Sequence, residues 1–365
     1  MQVLHQGGGA GSVASTLHLS LGLQRSGADV VFVCPPGSEV EALAAGGGLA
    51  VDPLPLEPGA RRANAAALAR VVERHRPQVI NSQSARDRAA LTWLRISGRL
   101  PAPLVLTRRQ MPRTFFLENW ITSRAADRVV AVSHAVARAL RRRGTPSRKL
   151  RVIHNGLIAE RVDRPVSDRA LFNWRDRIGW TPTQRTIGVV ARPKDQDVVL
   201  QALRSISTPV RLVLAGVDPS SPIGARAAAV GPPHAVVCLP FTAEVAPLYR
   251  LLDAALLPSR MEGCSQSLLE AMALAKPVIA SAAGGNAELI SDGVDGLLVA
   301  PLDARAWAAA IERVLLDAAL AEGLGVAARR TARERFTLER TVARTLDLYH
   351  GLAAAATLAP AAPHG

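Results

Sequence analysis

Short apolar runs rich in valine and isoleucine alternate along the chain with longer alanine-, leucine- and arginine-rich segments of helical period. The runs at 2–5, 30–34, 78–81, 104–106, 128–132 and 150–153 predict strands, and 12–26, 61–76, 85–97 and 135–143 predict helices between them. Strands alternating with helices of this length imply βαβ units and a parallel sheet. The strands are continuously apolar rather than alternating, as expected when helices cover both faces of a sheet. The pattern breaks over 158–183, a polar stretch with Pro165 and Pro182 and no clear strand. It restarts with predicted strands at 186–191, 210–215, 235–238, 254–257 and 277–280, followed by long helical stretches at 304–335 and 338–356. The expected class is α/β, with two similar halves. The Ala/Pro-rich tail at 358–365 is expected to be disordered.

A chain of 365 residues with 48% apolar content suits two cores rather than one. No apolar run approaches the roughly 20 residues that cross a bilayer. The N-terminus, MQVLHQGGG, has neither a basic region nor a long apolar stretch, so no signal peptide is expected. Cys34, Cys238 and Cys264 are isolated from one another, which supports neither a disulfide framework nor a zinc site. These features predict a soluble, cytoplasmic protein.

The net charge of +14 comes almost wholly from arginine. It is compatible with anionic small substrates, an anionic membrane surface or nucleic acid, and equally with arginines on solvated helix faces. Two Tyr and six Phe, none interleaved with the basic runs, provide few stacking platforms, so no nucleic-acid partner is expected.

The segment 257–299 reads LPSRMEGCSQSLLEAMALAKPVIASAAGGNAELISDGVDGLLV. A buried strand at 252–257 is stopped by Pro258 and Ser259. A loop with Glu262 and Gly263 follows, and a helix starts near Ser265 and runs to Ala275. A ligand at that loop would meet a helix N-terminus at the carboxyl end of a parallel strand, where amides and the helix dipole favour phosphate. Glu270 stands among Leu268, Leu269, Ala271, Met272 and Ala273. A carboxylate so placed needs donors when buried. A ribose diol or an arginine would both serve. Cys264 has no dedicated base beside it and is not expected to act as a nucleophile.

The two glutamates eight positions apart, followed by EAMALAKPVIAS and the glycine pair, resemble the donor-site signature of family-4 retaining glycosyltransferases of the GT-B fold. RVVAVSHAVARALRRRG with KLRVIHNGL, and VVARPKDQDVVLQAL, resemble further segments of that family. VINSQSARDR and LVLTRRQMP are similar to a bacterial subset linked to cell-surface polysaccharide or lipopolysaccharide assembly. The resemblance implies two Rossmann-like parallel-sheet domains facing a cleft. The N-terminal acceptor domain would span 1–165 and the donor domain 166–335, with a crossing helix over 336–357. It implies a nucleoside-diphosphate sugar as donor, a glycan or glycolipid acceptor, and no metal or other cofactor.

Residue by residue, the resemblance implies that Glu270 binds the ribose and that Glu262 lies close to the transferred sugar. Gly263, Cys264, Ser265 and Gln266 would approach the sugar and distal phosphate, and Lys194 and Arg192 would clamp the diphosphate. The arginine and lysine are closer together here than is usual in the family.

Gly7, Gly8, Gly9 and Gly11 follow the first strand, and Gly9-x-Gly11-x-x-Ala14 fits a dinucleotide fingerprint. Cys34 and Pro35, however, stand where that fingerprint wants an acid. A tight turn is the alternative, and the resemblance assigns Gly8, Gly9 and Gly11 to the donor phosphates. Gln83, Arg108 and Arg109 are expected on the acceptor side. Gln83 and Gln110 stand where the family often has histidine, and glutamine does no acid–base work. That motivates a second expectation, a catalytically weak relative that binds nucleotide sugar as a partner or scaffold. Arg108, Arg109 and Arg113 near Phe115, Phe116 and Trp120, with the basic run Arg138 to Arg151, predict peripheral contact with anionic lipid, at the inner face of the cytoplasmic membrane.

Overall fold

The computed structural model describes residues 1–8, 11–112, 115–242 and 244–358. The chain forms two compact units, Met1–Gly156 with Leu338–Gly365, and Leu157–Thr337. The first change of unit thus follows Gly156, nine residues before the 165 read from the sequence, and Leu157 already belongs to the second unit.

In the first unit, β1 (Gln2–Val3), β2 (Val31–Cys34), β3 (Ala50–Pro53), β4 (Ile80–Ser82), β5 (Leu104–Arg108), β6 (Arg128–Ala131) and β7 (Leu150–Val152) form one sheet. Its order is β3-β2-β1-β4-β5-β6-β7 and every pairing is parallel. In the second, β8 (Arg185–Val190), β9 (Val210–Ala215), β10 (Ala235–Leu239), β11 (Ala254–Leu257), β12 (Val278–Ser281) and β13 (Leu297–Val299) are also all parallel, in the order β10-β9-β8-β11-β12-β13. Strand order therefore reverses between β1 and β4 in one unit and between β8 and β11 in the other. At each reversal the connections leave to opposite sides and a crevice opens at the strands' carboxyl ends.

Several elements depart from the sequence reading. β3 is an edge strand with Asp52 and Pro53 in it, so it lacks the apolar run that marks a central strand, and an edge tolerates proline. β13, only three residues long, also escaped the reading. The polar stretch after 158 contains two helices, Ala159–Asp163 and Asp168–Ile178, the second capped by Ser167 and ended by Gly179 at φ 61°. The stretch 304–335 is two helices, Ala304–Leu316 and Ala318–Arg335, because Asp317 is extended and its carboxylate caps the second by accepting from Leu320 N.

The helix Leu338–Leu358 belongs to the first unit. Leu338 and Val342 join the cluster of Leu4, Val13, Leu17, Leu23 and Phe32, and Gly22 lets Val342 approach the Gly11–Arg25 helix. Gln2 and Asn81 are register partners on β1 and β4, and both side-chain amides donate to the Tyr349 hydroxyl, at 3.0 and 2.6 Å. In the second unit the helix Ala318–Arg335 packs against the end of the Gln266–Ala273 helix through Gly325. A Cβ there would lie 2.2 Å from the Ala275 carbonyl oxygen. Gly325→Val is expected to destabilise the second unit by about 1–3 kcal/mol, since backbone cannot yield to the added methyl groups. Denaturant unfolding of the variant with an unchanged midpoint would refute this packing argument.

Candidate functional site

The β8–β11 reversal gathers the sequence-predicted donor residues of the second unit. After β8 the chain turns through Arg192, Pro193, Lys194 and Asp195. Gln196, 1% exposed, shapes this loop from beneath: its Nε2 donates to Arg192 O at 2.8 Å and its Oε1 accepts from Lys194 N. After β11 the chain turns through Arg260 to Cys264. Asp195 joins the two loops, accepting from Arg260 N at 2.9 Å, Nε at 3.1 Å and Nη2 at 3.0 Å. Lys194 Nζ donates to Glu262 Oε1 across the same crevice. Burial pushes the Lys194 ammonium down to about 8, with Asp195 opposing and Arg192 adding to the shift. Its contact with Glu262 also favours the charged form, so it is a cation at neutral pH. Arg192 is exposed at the rim.

The backbone of Glu262 is held from the other side by the glycine pair. Gly285 N donates to Glu262 O at 3.0 Å, and Gly284 has φ +59°. A Cβ on Gly284 would lie 2.4 Å from Glu262 O. Gly263, Cys264 and Ser265 are buried, and Ser265 caps the Gln266–Ala273 helix by accepting from Leu268 N at 3.3 Å. The helix stops two residues short of the predicted end, because Ala275 turns to φ +56°. Gln266 is half-buried in the first turn.

Glu270 lies one turn further along, 3% exposed. Burial pushes its carboxyl up, while Arg161 and then Tyr249 pull it down. Arg161 Nε is 2.7 Å from Oε1. An arginine is thus one partner of Glu270, as the sequence allowed. The crevice combines Lys194 and Arg192, an aligned helix N-terminus and the carboxylates of Glu262 and Glu270. That set can hold a diphosphate together with a polyhydroxy group.

The β1–β4 reversal of the first unit is built differently. Gly7 and Gly8 pack on the start of the Glu39–Gly46 helix: Gly7 O accepts from Val40 N at 3.0 Å, and a Cβ on Gly8 would come within 2.8 Å of Glu39 Oε2. Gly11 opens the Gly11–Arg25 helix, and Gly9 lies outside the described residues. Gln83 and Arg109 come together. Gln83 Nε2 donates to Gln2 Oε1 at 2.8 Å, and its Oε1 accepts from Arg109 Nε at 3.1 Å. Arg109 Nη1 reaches Asn155 Oδ1 at 2.5 Å. Arg108 points elsewhere, donating to Asn119 Oδ1 at 2.9 Å, as the alternation of side chains along a strand requires. Gln110 is exposed.

Sequence reasoning missed Arg161, Tyr249 and the Asp195–Arg260 clasp, none of which carries a motif. It also missed a cluster of His5, Ser84 and Asp87. His5 Nδ1 lies 2.6 Å from Ser84 Oγ and 3.0 Å from Asp87 Oδ1. Both contacts fall on one ring nitrogen, whereas a hydrolytic triad uses both. Ser84 and Asp87 form the capping box of the Ala85–Ile96 helix, a pattern that Ser-x-x-Asp could have announced. Asp87 is fully buried. Burial raises its carboxyl, but hydrogen bonds from His5, Ser84 and Ser82 outweigh that and hold it below the usual range.

On the same unit the helix Phe116–Ala125 leaves Phe115 85%, Phe116 57% and Leu117 63% exposed. Arg124 lies 4.4 Å over the Trp120 ring, Lys149 Nζ donates to Arg124 O at 2.6 Å, and Phe116 and Trp120 flank Gly144, next to exposed Arg141 and Arg142. Arg113 lies outside the described residues. Among the described residues no helix is long and apolar enough to cross a membrane.

Two doubly wound parallel-sheet units, one with a charged crevice at its strand reversal, define the GT-B class. Residues 9–161 match the family described as Glycosyltransferase Family 4, and residues 182–317 match Glycosyl transferases group 1. The chain belongs to the family-4 glycosyltransferases. It is 31% identical to a D-inositol 3-phosphate glycosyltransferase of Xylanimonas cellulosilytica, over 62% of this chain and 57% of that protein. It is 42% identical to the lipopolysaccharide core biosynthesis mannosyltransferase LpcC of Rhizobium leguminosarum bv. viciae, over 28% and 30%. The chain spans about half the length of the curated relatives it matches. Anabaena HepE in complex with UDP-glucose has the same fold, with a TM-score of 0.82 at 20% identity, covering 95% of this chain and 98% of that one.

Gly284→Ala is expected to cost about 1–2 kcal/mol from the left-handed backbone alone, plus the clash with Glu262. An unfolding midpoint equal to wild type would mean that the pair does not brace the loop.

Proposed function

We propose that the chain is a retaining glycosyltransferase that moves a sugar from a nucleoside-diphosphate sugar to a hydroxyl of a glycan or glycolipid, in cell-envelope polysaccharide or lipopolysaccharide synthesis. The observation that carries this reading is the convergence of Lys194, Glu262 and the Ser265-capped helix bearing Glu270 at the β8–β11 reversal. The names of the relatives, and the UDP-glucose held by HepE, fit it.

In this reading Glu270 accepts from the ribose hydroxyls. Lys194, Arg192 and the amides of Gly263 to Gln266 face the diphosphate, and Glu262 lies by the sugar. The bond from the anomeric carbon to the phosphate oxygen breaks, and its electron pair stays with the phosphate. The acceptor oxygen attacks from the same face, and its proton passes to the leaving phosphate, so configuration is retained. Charge grows on that phosphate in the transition state, where fixed cations and amides stabilise it most. No metal is required in this scheme. Gly8, Gly9 and Gly11 of the first unit would border the donor phosphates. Gln83 and Arg109 would order the acceptor side, and Arg108, turned from them toward Asn119, would belong to that side as well. The exposed aromatic and basic face around Phe116 and Trp120 would rest on anionic lipid.

A thermal-shift panel of UDP, GDP, ADP and CDP with their common sugars is expected to show stabilisation by one nucleotide series. Glu270→Ala is expected to weaken that binding by about tenfold or more, since hydrogen bonds to a carboxylate are lost. Binding should also weaken as pH rises through about 8, where the Lys194 ammonium loses its proton. A nucleotide that binds without sugar ever being released or transferred would instead support the binding-only relative, to which the engaged amide of Gln83 lends weight. No binding by any nucleotide would overturn the donor reading.

Flotation with phosphatidylcholine vesicles, with and without phosphatidylglycerol, tests the lipid face. Binding is expected only with the anionic lipid, weaker at high salt and in Trp120→Ser. Equal behaviour of the two vesicles would remove the membrane from the proposal.

A further inference from the structure

Arg161 carries no motif and stands outside the segment where the donor signature lies, yet it touches Glu270, a buried carboxylate of that segment. It sits on the five-residue helix Ala159–Asp163, which packs against the Gln266–Ala273 helix. The placement is fixed from several directions. Ile158 and Val162 are buried at 0% and 2%. Leu157 N donates to Phe336 O at 2.7 Å, and Asp163 pairs with Arg333 at 2.5 Å. The side chain of Arg161 is 30% exposed, that of Glu270 only 4%.

The chemistry of Glu270 depends on this neighbour. A carboxylate offers about four lone-pair sites and no donor; its protonated form gives up acceptor capacity and gains a donor. In an apolar helix the neutral form is favoured unless a cation is near. Arg161 Nε at 2.7 Å from Oε1 is that cation, and the nearby Tyr249 hydroxyl donates to Ser267 O at 2.9 Å. That pairing leaves lone pairs for further donors, which is what the vicinal hydroxyls of a ribose present.

We propose that Arg161 is a positioning residue for nucleotide recognition, holding Glu270 as an ionised, oriented acceptor. It thereby sets a preference for ribonucleoside over 2′-deoxyribonucleoside diphosphates. The inference rests on the donor-site reading above and adds to it a residue and a specificity.

The test is calorimetric titration of wild type, Arg161→Met and Arg161→Lys with UDP, GDP, ADP and CDP and their 2′-deoxy counterparts. Wild type is expected to prefer the ribonucleotide by about tenfold or more, the loss of a hydrogen bond to a charged acceptor. Arg161→Met should still bind the diphosphate but lose most of that preference. Arg161→Lys, which keeps the charge without the guanidinium's fixed geometry, should fall between the two. A ribose preference in Arg161→Met equal to wild type overturns the proposal while leaving the donor site standing. So does tighter ribonucleotide binding in that variant, which would make Arg161 a competitor of the ribose. Should Arg161→Met not fold, a wild-type preference in Arg161→Lys overturns it. A wild-type chain that binds no nucleoside diphosphate overturns the donor reading and this inference together.

Discussion

A parallel sheet covered by helices on both faces has one place where a ligand can reach backbone amides without breaking the core: the carboxyl-end crevice where strand order reverses. The candidate site of the second unit depends on that constraint. The β8 and β11 loops are neighbours only because those strands pair, with Ala255 opposite Gly188. Once they are neighbours, Asp195 can clasp Arg260 and Lys194 can reach Glu262. The charged groups need no long side-chain excursions, because the sheet has already set their spacing.

Opposite charges in such a crevice satisfy one another when no ligand is bound, which keeps desolvated ions from standing alone. Lys194 with Glu262 and Arg161 with Glu270 are two such pairs, and both gather around one short helix. On the proposed reading, a diphosphate entering here would exchange one set of ionic partners for another. The burial that lowers the Lys194 ammonium and raises the Glu270 carboxyl also strengthens whatever replaces those contacts.

The first unit uses the corresponding reversal for a buried polar lattice rather than a cluster of facing charges. Gln2, Asn81, Gln83, Arg109, Asn155 and Tyr349 satisfy one another there, and the helix Leu338–Leu358 supplies Tyr349 from the far end of the chain. Such a lattice is rigid because each member would cost more unpaired than paired. It also explains how glutamine serves at position 83. Its amide donates and accepts at once, to two fixed partners, and neither bond calls for a proton to move.

The alternation of apolar strands and amphipathic helices was legible in the chain because burial on both faces writes itself as continuous Val/Ile runs. The forty residues around Glu262 and Glu270 were legible because loop, cap and helix are contiguous there. The edge strand Ala50–Pro53 was not, since an edge carries no central-strand signature, and neither was the break at Asp317, where one carboxylate separates two helices of the same period. Sequence also left Glu270 with two possible partners, and could not join Asp195 to Arg260 across 65 positions. The sequence by itself determined two α/β halves and the residues of one loop leading into a capped helix, because those follow from local periodicity and capping. Which charges meet was decided only in the tertiary structure, because an ion pair depends on distance in space, and the strand order brings together residues that the chain keeps far apart.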